Sequence, residues 1–151
     1  MGVEMNKVVV IRCTLGCILP LLVCCTVNPP KLIPGPLAGC PGSPNCVSSM
    51  DPREKHAVEP FRYAGDWTAA RDRLVRLLAE MTRTRVVTVQ EKYIHAECRS
   101  RIFRFVDDLE FFFVPEAGVI HVRSAARTGY SDFGVNRKRV EEIRRLWAGT
   151  K

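Results

Sequence analysis

The sequence predicts an α+β fold: one helix, a four- or five-stranded mainly antiparallel sheet, and a closing C-terminal helix. Three observations predict it. Trp67, Ala70, Leu74, Leu77, Leu78 and Met81 recur at helical spacing, Tyr93 to Arg99 and Val119 to Ser124 alternate apolar with polar side chains, and Val140, Ile143 and Trp147 return to the helical period. Successive side chains of a strand point to opposite faces, so Ile94, Ala96 and Cys98 share one face while Tyr93, His95, Glu97 and Arg99 share the other. Ile120, Val122 and Ser124 separate in the same way from His121 and Arg123, and Phe111 and Phe113 from Glu110 and Phe112. The expectation is a sheet with one core face and one wet face bearing imidazoles, guanidiniums and carboxylates.

In chain order, three regions are expected: a leader over 1–25, a Pro-rich tether over 26–60, and a globular domain over 61–151. Lys7 and Arg12 precede an apolar run from Cys13 to Val27 that stops at Asn28-Pro29-Pro30, the layout of an export signal. The run of about 15 residues is shorter than the roughly 20 a membrane-spanning helix needs. An uncleaved anchor and a cytosolic chain are the alternatives. The tether holds eight of the ten prolines (Pro29, Pro30, Pro34, Pro36, Pro41, Pro44, Pro52 and Pro60), which suits an extended tether or an irregular surface arm. Within it, Cys40 and Cys46 are expected to close a small disulfide ring, worth about 2 kcal/mol, in an oxidising compartment. Unpaired thiols, a metal site with His56 and a redox pair are the competing readings, the last two lacking CxxC spacing.

Asp66 is placed to cap the first helix. Arg85 to Gln90 reads as a strand, followed by the strand Tyr93 to Arg99. Ile102 to Val106 alternates and reads as a further strand, with a turn or bulge at Asp107-Asp108. Leu109 to Val114 and Val119 to Ser124 form a hairpin across Pro115-Glu116-Ala117-Gly118. Asn136 is placed to cap the closing helix, which Gly149 ends.

The chemistry on offer is polar and cationic. A formal charge of +7 favours an anionic partner. His95 and Glu97, two apart on a strand and so about 6.5–7 Å from each other, can converge on one small ligand. That pair suits acid–base catalysis, whereas Arg99, Arg123 and His121 suit the clamping of a carboxylate or phosphate. A face of charges paired across strands is the bland alternative. Arg127, Ser131, Asp132 and Asn136 lie on a loop before a helix start, where an anion can bind or where the side chains simply shape the turn. Lys138, Arg139, Arg144 and Arg145 are interrupted by Glu141 and Glu142, and export removes nucleic acid as a partner. Glycine-rich phosphate loops, HExxH, GxSxG and DxDxDG are absent, so neither a cofactor nor a metal is read from the sequence.

Two resemblances add to this. Leu22-Val23-Cys24-Cys25 resembles the lipobox of bacterial lipoproteins, with Cys24 where that pattern has Gly, Ala or Ser. It implies a diacylglyceryl group on Cys25 and attachment to a membrane on the periplasmic side of the bacterial cell envelope. CPGSPNCVSS at 40–49, YIHAECRSRIFRFVDDLEF at 93–111 and GVIHVRSAARTGYSDFGVNRKRVEEIR at 118–144 together resemble the uncharacterised family catalogued as domain of unknown function 1499. That resemblance covers about Leu37 to Trp147, includes members with lipoprotein or membrane-anchoring leaders and relatives in photosynthetic lineages, and implies no reaction. The function expected is therefore an envelope-anchored structural module, or one binding an anionic small molecule or envelope component. The alternative is a small hydrolase or isomerase using His95 and Glu97.

Overall fold

The computed structural model of the chain describes residues 37–149. The leader, Cys25 and the first part of the tether lie outside the described residues. Within them the order is β1 (Cys46–Ser48), β2 (Phe61–Arg62), α1 (Trp67–Glu80), β3 (Thr84–Val89), β4 (Tyr93–Arg99), β5 (Val106–Val114), β6 (Val119–Ala126) and α2 (Val135–Gly149). The fold is α+β. A six-stranded sheet runs β1-β6-β5-β4-β3, every pair antiparallel, with β2 also pairing β6. β1 and β2 follow one another along the same edge of β6, Cys46 opposite Ala125 and Phe61 opposite Ile120.

Both helices pack on one face. Leu74, Leu77 and Leu78 of α1 and Val140, Ile143 and Trp147 of α2 join Ile94, Ala96, Leu109, Phe111, Ile120 and Val122 in a single apolar cluster. Area removed from water at about 25 cal/mol per Å² makes such a layer the main stabilising term of the fold. Phe61 meets Phe111 edge-on, with ring centroids 5.9 Å apart.

Local chemistry sets the element ends. The Asp66 carboxylate accepts the Ala69 N–H (3.0 Å) and caps α1. The β5–β6 hairpin closes through a 3₁₀ turn at Pro115–Ala117 and through Gly118 at φ 61°. A Cβ at Gly118 would stand 3.2 Å from the Tyr63 carbonyl oxygen, so both backbone angle and space favour glycine. In β3 the register shifts between Val86 and Thr88, which leaves Val87 as the extra residue of a β-bulge.

Four expectations need correction. Residues 37–60 are more than a tether: Leu37, Cys46, Val47, Asp51, His56 and Val58 are buried, and Cys46–Ser48 is a sheet strand. Asp107 and Asp108 form no turn, because both lie inside β5, where Arg139 and Arg127 neutralise them. Residues 102–105 are loop, with Ile102, Phe103 and Phe105 exposed. Asn136 does not cap α2, since it lies within the helix and is fully buried. The capping groups come from Asp132, whose carboxylate accepts the N–H of Gly134 (2.9 Å) and of Asn136 (2.7 Å).

Candidate functional site

The face of the sheet opposite the helices carries the polar side chains, and it is not wet. Register places Tyr93, Phe112 and His121 in one row, His95, Glu110 and Arg123 in the next, and Glu97, Asp108 and Ala125 in a third. His95, Glu97, Asp108 and Glu110 are all less than 9% exposed. Ionised carboxylates can be buried only when their charge and lone pairs are met. Here the guanidiniums meet them. Arg127 donates to both oxygens of Asp108 (2.7–3.1 Å) and to Glu97 (2.8 Å), while Arg123 donates to Glu110 at 2.6 Å. Tyr93 Oη completes Glu110 (2.9 Å), and Arg85 approaches Glu97 at 3.1 Å.

The electrostatics follow. Burial alone would raise the carboxyl of Asp108, but hydrogen bonds from His95 and Arg127 outweigh it and hold the group below its ordinary value. Glu97 behaves alike, burial opposing and the Arg127 and Arg85 guanidiniums prevailing. Burial, with the Glu110 charge beside it, pushes the Tyr93 phenol well above its usual range. Because Asp108 is held ionised, His95 Nε2 carries the hydrogen of their 2.8 Å bond.

The sequence-predicted residues therefore divide. His95 and Glu97 share a face but do not converge on a common space: His95 is turned to Asp108, and Glu97 is held by arginines. Arg123 and Arg127 are occupied by internal carboxylates. His121 Nδ1 meets Ser49 Oγ at 3.1 Å, and its burial lowers its pKa. Asn136 Nδ2 donates to the Asn45 carbonyl (3.2 Å), and its Oδ1 accepts from Ser124 and Arg139, so it fastens α2 to the sheet. Ser131 Oγ accepts the Phe133 N–H at 3.3 Å. Cys40 and Cys46 form a disulfide, with Cα atoms 5.6 Å apart. Its ring presents Asn45, whose carbonyl accepts the Ala126 N–H (2.9 Å) and whose amide donates to Gly129 O (2.6 Å).

Arg99 is the one of these candidates that lines the larger cavity, a space of about 520 Å³ between the start of β3, the end of β4 and α2, together with Arg83, Arg101, Lys138 and Arg139. A second hollow of about 320 Å³ shares Arg83, Thr84 and Arg99 with it and adds Arg85 and Glu97. Arg139 is engaged by Asp107 at 2.6 Å, and Arg99 stands 3.8 Å from Glu97. Among the described residues no carboxylate pairs with Arg83, Arg101 or Lys138. Glu142, the one acid lining the larger cavity, is bound to Arg145 at 2.7 Å. Cys98 lies in the wall, 3.7 Å from Thr84 Oγ1, and burial pushes its thiol up, away from the nucleophilic thiolate. The cluster was missed in the sequence because Arg83, Arg99 and Lys138 come from three elements with no shared motif. Their only common signal was the surplus of positive charge.

The described residues thus set a buried, internally paired ionic sheet face beside a cavity lined mainly by cations. The family model described as Protein of unknown function (DUF1499) matches residues 36–146, and the chain belongs to that family. No curated protein matches the sequence.

Proposed function

We propose that the protein is an anion-binding module of the bacterial cell envelope, with the cavity between β3, β4 and α2 receiving a carboxylate or phosphate group. The observation that carries this reading is the gathering of Arg83, Arg99, Arg101 and Lys138 around one hollow with so little opposing charge. Like charges held together repel, and an anion seated among them removes that repulsion while gaining charge-assisted hydrogen bonds. Arg99 and Arg83 supply planar forks suited to two oxygens at once, and Lys138 supplies a point charge. The envelope placement is supported by the apolar run Cys13 to Val27, by the lipobox-like Leu22 to Cys25, and by the Cys40–Cys46 disulfide, a bond of oxidising compartments. Lipid on Cys25 would tether the module to the membrane.

The test is calorimetric titration of the full-length protein in detergent with inorganic phosphate and with citrate. Each lost charge-assisted bond is worth roughly 1.5–3 kcal/mol, so Arg99→Ala with Lys138→Ala should weaken binding by at least ~100-fold. Far-UV circular dichroism should stay unchanged, because both side chains are exposed. Equal affinity in the parent and the double variant would overturn the assignment.

A further inference from the structure

The loops around this cavity carry a second feature that anion binding does not use. Nine large apolar side chains are exposed among the described residues; five of them, Ile102, Phe103, Phe105, Tyr130 and Phe133, belong to the β4–β5 loop and the β6–α2 connection, and a sixth, Val135, opens α2. Scattered exposed hydrophobics are ordinary, but a concentration at one place marks an interaction surface.

The topology brings these two segments together. β5 begins beside the end of β6, with Asp107 opposite Ala126, and the Arg127 N–H donates to the Val106 carbonyl at 3.2 Å. Ser100 and Arg101 from one segment and Val135, the residue of α2 that directly follows the other, line the same cavity. Phe103 and Phe105 stack with ring centroids 5.6 Å apart, while remaining 74% and 54% exposed. Phe133 is 88% exposed and Tyr130 is 76% exposed. Each segment also holds a non-glycine residue in the left-handed region, Arg104 at φ 54° and Phe133 at φ 53°, a backbone state that bulky residues seldom adopt.

The charge around these rings selects the partner. Arg101 and Arg104 interleave with Ile102, Phe103 and Phe105, and Arg83, Arg99 and Lys138 stand behind them at the cavity. The carboxylates in and beside these segments are engaged, Asp132 on the start of α2, Asp107 on Arg139 and Glu142 on Arg145. Aromatic rings flanked by arginines match the boundary between lipid headgroups and acyl chains, where rings sit at headgroup depth and cations meet phosphates. We infer that this end of the fold is a membrane-docking surface: the rings of the two segments enter the interface of a bilayer rich in anionic lipid, and the surrounding cations lie on its phosphates. The surface is separate from any lipid on Cys25, and it also goes beyond the cavity reading, since ring insertion does not require the cavity to be filled.

The experiment uses the full-length protein and a reporter confined to the loop. Phe103→Trp is compared with the parent, whose Trp67 and Trp147 give the baseline, on phosphatidylglycerol/phosphatidylcholine vesicles and on phosphatidylcholine alone. The added indole should shift to the blue and be quenched by brominated acyl chains, more strongly on the anionic vesicles and less at high salt. Ile102→Ser with Phe133→Ser should reduce that quenching at least fivefold, with the circular dichroism spectrum unchanged. An indole that stays open to iodide while the protein sediments with vesicles would overturn the inference and leave attachment to the N-terminal run. An indole protected at high protein concentration without vesicles would also overturn it, in favour of a second copy of the chain. Insertion that persists in Arg99→Ala/Lys138→Ala, with phosphate titration abolished, separates this surface from the cavity; insertion with those two substitutions silent in titration would sink only the cavity reading.

Discussion

On β5 the two faces of the sheet meet within one strand. Leu109, Phe111 and Phe113 point to the helices and are fully buried, and Asp108 and Glu110 point the other way and are nearly as buried. The two faces are closed to water by different means. On one side burial itself stabilises, in proportion to area. On the other it costs free energy for each charge, and the arginines must offset that cost through geometry. The comparison teaches that alternation along a strand reports which residues share a face, and that partners from elsewhere decide whether the face is wet.

The largest effects should appear when each face is broken at its centre. Phe111→Ala leaves a cavity against Phe61 and should cost about 3–5 kcal/mol in urea unfolding. Arg127→Met should cost a similar ~3–5 kcal/mol, because it removes the guanidinium that Asp108 and Glu97 share and leaves these buried carboxylates only His95 and the more exposed Arg85 and Arg99. The double variant Arg127→Met/Asp108→Asn should then lose less than the sum of its parts, a coupling that independent sites lack. Additive losses would mean the two groups are separately solvated.

Acid should separate the faces further. Glu97 and Asp108 have folded-state pKa values below their unfolded ones, so the unfolded chain binds more protons in the intervening window. The stability they contribute is complete above about pH 5 and is lost as pH falls below about 4, through their depressed native values. The deficit of Phe111→Ala should stay constant across that window, while Arg127→Met should lose much of the acid slope. Parallel slopes in the two variants would move the acid-sensitive groups to another part of the fold. The smallest effect is expected from Arg85→Ala. The Arg85 side chain is 69% exposed, and its bond to Glu97 is of the rim type, worth about 0.2–1 kcal/mol and weakened by salt.

Strong local periodicity made much of the fold legible. The Trp67 to Met81 stripe with Asp66 before it gave α1, and the Pro115 to Gly118 turn between alternating runs gave the β5–β6 hairpin. β1 and β2 were hidden because strands of three and two residues carry no period, and prolines surround them. Asp107-Asp108 resembled a turn because the arginines that allow both to be buried lie 32 and 19 residues away in sequence. The same distance concealed the site. Arg99 could be named from its strand, but only tertiary structure shows that Arg123 and Arg127 are spent on internal carboxylates while Arg83 and Lys138 are not.

The bulge at Val87 bears on how the molecule behaves in a crowd. β3 is the outermost strand on its side of the sheet, and such a margin offers unpaired amides and carbonyls on which another chain can build. With Val87 inserted between Val86 and Thr88, the amides and carbonyls no longer fall in an even row, and Arg85 adds a charge just before the break. A protein that exposes so many rings at one end of its sheet is thereby discouraged from joining other copies edge to edge along its side.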